Sequence, residues 1–220
     1  MPADSTFANL SHRLVTSVSQ LGSARTSPGL YSALLRLLAR GAPVSISQLA
    51  AAAGRPTGDV QRAVAGWSDT EYDEQGRIIG YGLTLHPTPH GFTVDGWQLY
   101  TWCALDTLFF PAVIDRPAHI ESHCPGTGVP IRLTVDPIAG VTAVHPTTAV
   151  VSIVTPDQVS SVRSAFCNPG RFFATRDAAS DWQAKHRDME IVSVADAYQA
   201  SRPLSDMILD GSDRLECCSS

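Results

Sequence analysis

Apolar residues recur at helical spacing over the first third of the chain and at strand spacing over most of the rest. Phe7, Leu10, Leu14, Val18 and Leu21 fall three and four positions apart, on one face of a first amphipathic helix that ends near Gly22. Ser27-Pro28 reads as a cap and a first-turn proline for a second helix. Leu30, Leu34, Leu35, Leu37 and Leu38 supply its apolar face, and Gly41 with Pro43 stops it. Ser45 and Gln48 make a capping-box pattern for a short third helix through Ala53, closed by Gly54, and Thr57 is placed to cap a fourth carrying Val60, Val64 and Trp67. Residues 72–85 have hairpin character around Asp73-Glu74-Gln75-Gly76. Helix, tight glycine turn, helix and hairpin together look like a winged helix-turn-helix.

From Gly91 onward the pattern changes to short strands, at 92–94, 118–122, 131–135, 141–145 and 149–154, with Pro and Gly turns between them. Their spacing predicts an antiparallel sheet. Asp95-Gly96 is read as the end of the first strand and the start of a helix from about Gln98 to Phe109. Pro156-Asp157 opens another helix through Phe166, and a last one lies near 177–186. The fold class expected is α+β, a helical winged-helix-like module (1–85) packed on an antiparallel-sheet core (86–202), followed by a tail (203–220).

Composition narrows the function. Of 220 residues, 44% are apolar and 17% charged, which suits a globular chain, and no apolar run approaches the roughly 18 residues of a membrane span. The N-terminus Met1-Pro2-Ala3-Asp4-Ser5 has no basic segment leading into an apolar one, so a cytoplasmic location is expected. In that reducing compartment Cys103, Cys124, Cys167, Cys217 and Cys218 are expected as free thiols, metal ligands or catalysts. A net charge of -5 argues against nucleic acid. The helix-turn-helix region argues the same way, because between residues 45 and 75 Arg55 and Arg62 face Asp59, Asp69, Glu71, Asp73 and Glu74. A metal-responsive winged-helix DNA-binding regulator is the alternative reading, and this acidic balance weighs against it.

The segment from Leu99 to Pro111 carries the chemistry. Cys103 and Asp106 stand three residues apart in a helical pattern, on one face, and a cysteine near a helix start can have a lowered pKa that favours a thiolate. On its own the pattern is equally that of a buried cysteine beside a capping aspartate. However, Trp102-Cys103-Ala104-Leu105-Asp106-Thr107-Leu108 followed by Phe110-Pro111 resembles the signature of the organomercurial (alkylmercury) lyases. The resemblance continues through Glu71-Tyr72-Asp73, Gly80-Tyr81-Gly82-Leu83-Thr84-Leu85, Ser122-His123-Cys124, Ala165-Phe166-Cys167, Asp181-Trp182 and Ile191-Val192-Ser193-Val194, all in family order. It covers about residues 10–200.

That resemblance implies that Cys103 and Cys167 are the two catalytic, mercury-binding cysteines, that Asp106 is the catalytic acid and a further mercury ligand, and that Cys124 is structural. It implies protonolysis of a carbon-mercury bond without an organic cofactor, with Hg(II) as bound product and small thiols needed for its release. Asn168-Pro169-Gly170-Arg171 departs from the family, in which Cys or His residues are common at that point. Thiolates suit the reaction because sulfur and mercury are both soft, and a carboxyl raised in pKa by burial and like charge could act as the acid.

Trp102 is a further substrate contact to test, though neighbours on a helix need not face the same side. Phe109, Phe110, Phe166 and Phe172 read as ordinary core. His119, His123 and Cys124 lack the paired spacing of a zinc site. The vicinal Cys217-Cys218 resembles the C-terminal pair of mercuric reductases and suggests a relay of Hg(II) to such a reductase as partner.

Overall fold

The computed structural model describes residues 3–20, 29–154, 163, 167–186 and 188–213. Its helical part comprises α1 (Ala3–Gln20), α2 (Leu30–Leu38), α3 (Ile46–Ala52) and α4 (Thr57–Ala65). The expected capping box forms, with Gln48 N donating to Ser45 Oγ at 3.2 Å and Ser45 N donating to Gln48 Oε1 at 2.8 Å. Gly41 ends the α2 segment at φ 73, in the left-handed region, and the ring of Trp97 covers it. Leu10 and Leu14 of α1 are buried as predicted; Phe7, Val18, Leu21 and the Ser27-Pro28 cap lie outside the residues whose side chains are described.

Strands β1 (Glu71–Tyr72), β2 (Ile78–Tyr81) and β3 (Leu83–Thr84) form the wing and continue into the core. With β4 (His90–Val94), β5 (Trp97–Thr101), β6 (Ala118–His123), β7 (Pro130–Asp136) and β8 (Gly140–His145) they build an eight-stranded antiparallel sheet of order β1-β2-β3-β5-β4-β6-β7-β8. Residues alternate strictly between buried and exposed along β6, so one face of this sheet meets the core and the other meets solvent. A second sheet is made of β10 (Phe172–Phe173), β9 (Val150–Val154) and β11 (Met189–Ser193), with β9 in the centre.

The predicted helix over residues 98–109 is corrected at its start. Asp95 and Gly96 both have positive φ, 48 and 84, and make a two-residue hairpin turn that pairs Val94 with Trp97. Residues 97–101 are therefore strand, and α5 (Ala104–Ile114) begins only after Cys103. All but one of its residues are buried, as befits a helix that is apolar all round; the two sheets and α2 surround it together with α7 (Val194–Asp213).

The expected tail is also revised, because α7 runs across the 202/203 boundary. Ala197, Ala200, Leu204 and Ile208 keep one buried stripe through Pro203. The helix expected from Pro156 to Phe166 lies outside the described residues except at Arg163. The last predicted helix is a single 3₁₀ turn at Asp177–Ala179 followed by α6 (Ser180–Lys185).

Candidate active site

Cys103 is the N-cap of α5, with extended backbone at φ -141 and ψ 167, and Asp106 is its third helical residue. Cys103 N donates to Asp106 Oδ2 at 3.2 Å, and the Asp106 amide donates to the Cys103 sulfur, a reciprocal capping box. The spacing of three thus joins the two residues through a cap rather than along a helix face.

Cys167 arrives from the other side of the core. A tight turn follows it, with Gly170 N donating to Cys167 O at 2.9 Å, while Asn168 N reaches back five residues to Arg163 O at 2.8 Å, a π-type bond of the kind found at functional sites. Its sulfur faces Asp106 Oδ2 at 4.0 Å. One ligand atom from each of Cys103, Asp106 and Cys167 can be chosen so that all lie within 4.8 Å of one another, and among the described residues this is the one such cluster. The three residues are 1%, 5% and 2% exposed.

Burial governs their ionisation. It drives the Asp106 carboxyl up to about 7, and its hydrogen bonds with Cys103 only partly oppose this. The like-charge interaction within the cluster falls on the two thiols, whose ionisation the Asp106 carboxylate opposes. Burial likewise raises the Cys103 thiol, against the expectation of a lowered helix-start cysteine, and its hydrogen bond with Cys167 offsets part of the rise. Cys167 is raised further because that same bond keeps its proton, with burial second. The site is therefore a pair of thiols beside a carboxyl raised to about 7.

Residues that the sequence reading did not single out surround this cluster. Arg163 stacks over the Trp102 ring, 5.0 Å from its centroid, and pairs with Glu71, whose carboxylate also accepts from Thr84 Oγ1. Arg171 is half-buried and acts electrostatically on Cys103. His90 donates or accepts through Nδ1 to Ser122 Oγ at 2.8 Å, lies against Phe172, and is held neutral, its pKa lowered to about 3 by burial and by Arg171. A histidine and two arginines scattered through the sequence carry no local signal that would mark them.

Trp102 packs against Tyr81 at 5.3 Å and under Arg163, with its amide bonded to Gly82 O at 2.9 Å. Phe109, Phe110 and Phe172 are core residues, and Phe166 lies outside the described residues. Cys124 is buried in the turn after β6. Burial opposes its ionisation, but hydrogen bonds from Thr127, Ala174 and Gly126 outweigh that and lower its pKa. His119 and His123 are on the exposed side of β6, away from any cysteine cluster among the described residues. Cys217 and Cys218 lie outside the described residues.

Two thiols and a protonatable carboxyl enclosed in an α+β fold behind a helix-turn-helix module define a thiol-based enzyme for soft-metal compounds. Comparison with known proteins makes the class specific. Residues 83–206 match the family model described as alkylmercury lyase, and residues 9–82 match that of the helix-turn-helix domain of alkylmercury lyase. An alkylmercury lyase of Streptomyces lividans is 54% identical over 98% of this chain and 100% of its own length. One from Pseudomonas putida is 45% identical over 84% and 87%. The crystal structure of the mercury-bound form of MerB2 superimposes with a TM-score of 0.71 at 23% identity, covering 90% of this chain and 98% of that one, which bears on the fold. The chain belongs to the alkylmercury lyase family and is an enzyme that cleaves carbon-mercury bonds. Its helix-turn-helix module is a part of that enzyme architecture, not the mark of a regulator.

Proposed function

We propose that Cys103 and Cys167 bind the mercury of an organomercurial as thiolates and that Asp106 carries a proton to the departing carbon. The single observation supporting this reading is the approach of both sulfurs and the carboxyl to within 4.8 Å in a buried site. One thiol displaces the substrate's counter-ligand and its proton leaves with that ligand. The second thiol adds to mercury and gives its proton to the Asp106 carboxylate. The Asp106 carboxyl then protonates carbon as the carbon-mercury bond breaks. The products are a hydrocarbon and Hg(II) held by two thiolates, with an Asp106 oxygen beside it as the third donor. Atoms and charge balance without an organic cofactor.

A site that dry favours the neutral acid, and Asp106, raised to about 7, can both give and regain a proton near neutral pH. Small thiols release Hg(II) by exchange, and a mercuric reductase is its acceptor in the cell, with Cys217-Cys218 as the relay and the cytoplasm as location. Among the described residues no helix is long and apolar enough to cross a membrane. Cys124 serves the turn after β6 and takes no part in bond cleavage. Trp102 shapes the wall beside Cys103. The test is benzene release from phenylmercury in excess cysteine by wild type, Cys103→Ser and Cys167→Ser. Turnover by either variant overturns the assignment of that cysteine.

A further inference from the structure

Cys103 and Cys167 are 64 positions apart, so something must fix the distance between their sulfurs. Besides the contacts of the site's own side chains, the two segments are joined main chain to main chain where Ala104 N, the first helical amide of α5, donates to Gly170 O at 3.1 Å. Gly170 also presses against Cys103, since a Cβ built on it would lie 3.1 Å from Cys103 Cβ and 3.7 Å from its sulfur. The Cys167 turn can therefore hold its position only if its main chain is anchored on the far side.

Ser152 provides that anchor. It lies in the centre of β9, fully buried, and three bonds tie it to the turn. Its hydroxyl donates to Pro169 O at 2.8 Å and accepts from Arg171 N at 2.8 Å, and its own amide donates to Arg171 O at 2.9 Å. A single hydroxyl so placed satisfies one partly buried acceptor and one partly buried donor on either side of Gly170. Trp182 Nε1 adds a second donor to Pro169 O at 3.2 Å. We infer that Ser152 is a positioning residue of this enzyme, whose hydroxyl locks the Pro169–Arg171 main chain and thereby sets the sulfur-sulfur geometry of the mercury site. It touches neither substrate nor reacting atom.

The inference rests on the reading of Cys103 and Cys167 as the mercury-holding pair. Removing the hydroxyl leaves Arg171 N without its acceptor and Pro169 O held by Trp182 alone, and lets the turn, with Cys167, drift from Cys103. Two-sulfur steps suffer, while the capture of mercury by a single thiol does not.

The experiment compares wild type, Ser152→Ala, Ser152→Thr, Cys167→Ser and Ser205→Ala. The last removes a buried hydroxyl bonded to Arg202 O in α7, outside the site, and controls for a general loss of stability. Two readouts are taken: kcat and KM for benzene release from phenylmercury, and retention of Hg(II), added as the chloride, against dithiothreitol. Ser152→Ala is expected to lose at least tenfold in kcat with little change in KM, and to surrender Hg(II) at a several-fold lower dithiothreitol concentration. Ser152→Thr, which keeps the hydroxyl, restores both, and Ser205→Ala moves neither. Wild-type values for Ser152→Ala, or equal losses in Ser152→Ala and Ser205→Ala, overturn the inference. Full turnover by Cys167→Ser would instead overturn the underlying site assignment, so the two failures are distinguishable.

Discussion

Cys103 and Asp106 cap the helix that they begin, each accepting the other's backbone amide, with Cys103 N 3.2 Å from Asp106 Oδ2. A helix N-terminus leaves amides without internal partners, and here reacting groups satisfy two of them. The cap holds the thiol and the carboxyl in fixed relation before substrate enters. It also gives both side chains a structural duty, so a variant must be chosen to separate chemistry from capping.

Asp106→Asn makes that separation. An Asn oxygen still accepts from Cys103 N, and the side chain keeps its volume, but no acidic proton remains to give. We expect folding and Hg(II) retention close to wild type and hydrocarbon release slowed about 10²- to 10⁴-fold, the usual contribution of a positioned general acid. Asp106→Ala should show the same chemical loss and, in addition, about 1 kcal/mol of stability lost with the cap. Gas chromatography of headspace benzene, alongside urea unfolding of both variants, measures the two effects separately. Release by Asp106→Asn at the wild-type rate would remove the acid from the mechanism.

Helical spacing and strand alternation located most elements, because Leu30, Leu34, Leu35 and Leu38 or the alternating residues of β6 each report one local face. The hairpin at Asp95-Gly96 was misread although its dipeptide is a strong turn signal, since the apolar run after Leu99 has the period of either element. The site was legible unevenly. Cys103 and Asp106 belong to one local motif, but only family resemblance drew in Cys167. Ser152, Arg163 and Arg171 act through tertiary contacts that no spacing in the chain encodes.

Glu71 links the wing to the catalytic turn. It is largely buried, pairs with Arg163 and accepts from Thr84, while Arg163 covers Trp102. Glu71→Gln keeps the hydrogen-bonding shape and removes the charge that faces the partly exposed Arg163 guanidinium. A loss of about 1 kcal/mol is expected, between the value of an exposed pair and that of a buried one. Raising ionic strength should narrow the difference between the two proteins in urea unfolding, because part of the pair is open to solvent. A gap unaffected by salt would mean that shape, not charge, is what Glu71 supplies.

Gly41 offers a test of the fold that leaves the chemistry alone. Its φ of 73 disfavours any side chain, and a Cβ would fall 2.8 Å from the Trp97 ring. Gly41→Ala is expected to destabilise by about 1–3 kcal/mol through backbone strain and displacement of the indole. Trp97→Ala in the same background should recover the steric part of that loss but not the strain. Per folded molecule, benzene release should be unchanged, as measured by activity normalised to the native fraction.

The raised Asp106 carboxyl makes a signed prediction about stability and pH. In the folded protein it titrates near 7, whereas an unfolded Asp titrates near ~4. Between those values the native state binds a proton that the unfolded chain has released, so this group's contribution to stability is complete below pH ~4 and is lost as the pH rises through 7. His90 works against it in an overlapping window. Its folded pKa of about 3 lies below the unfolded value of ~6.5, so its neutral burial favours the native state increasingly as pH rises from 3 to 6.5. A wild-type profile alone would show these slopes partly cancelled. The difference between Asp106→Asn and wild type isolates the carboxyl, because His90 is common to both. Relative to wild type, the Asn variant should gain stability steadily from pH 4.5 to 7.5 and then hold that gain, as read from urea midpoints at fixed m-value. Parallel profiles would show that burial does not raise Asp106 in the folded site, and the carboxyl would then carry to carbon only the proton it takes from the second thiol.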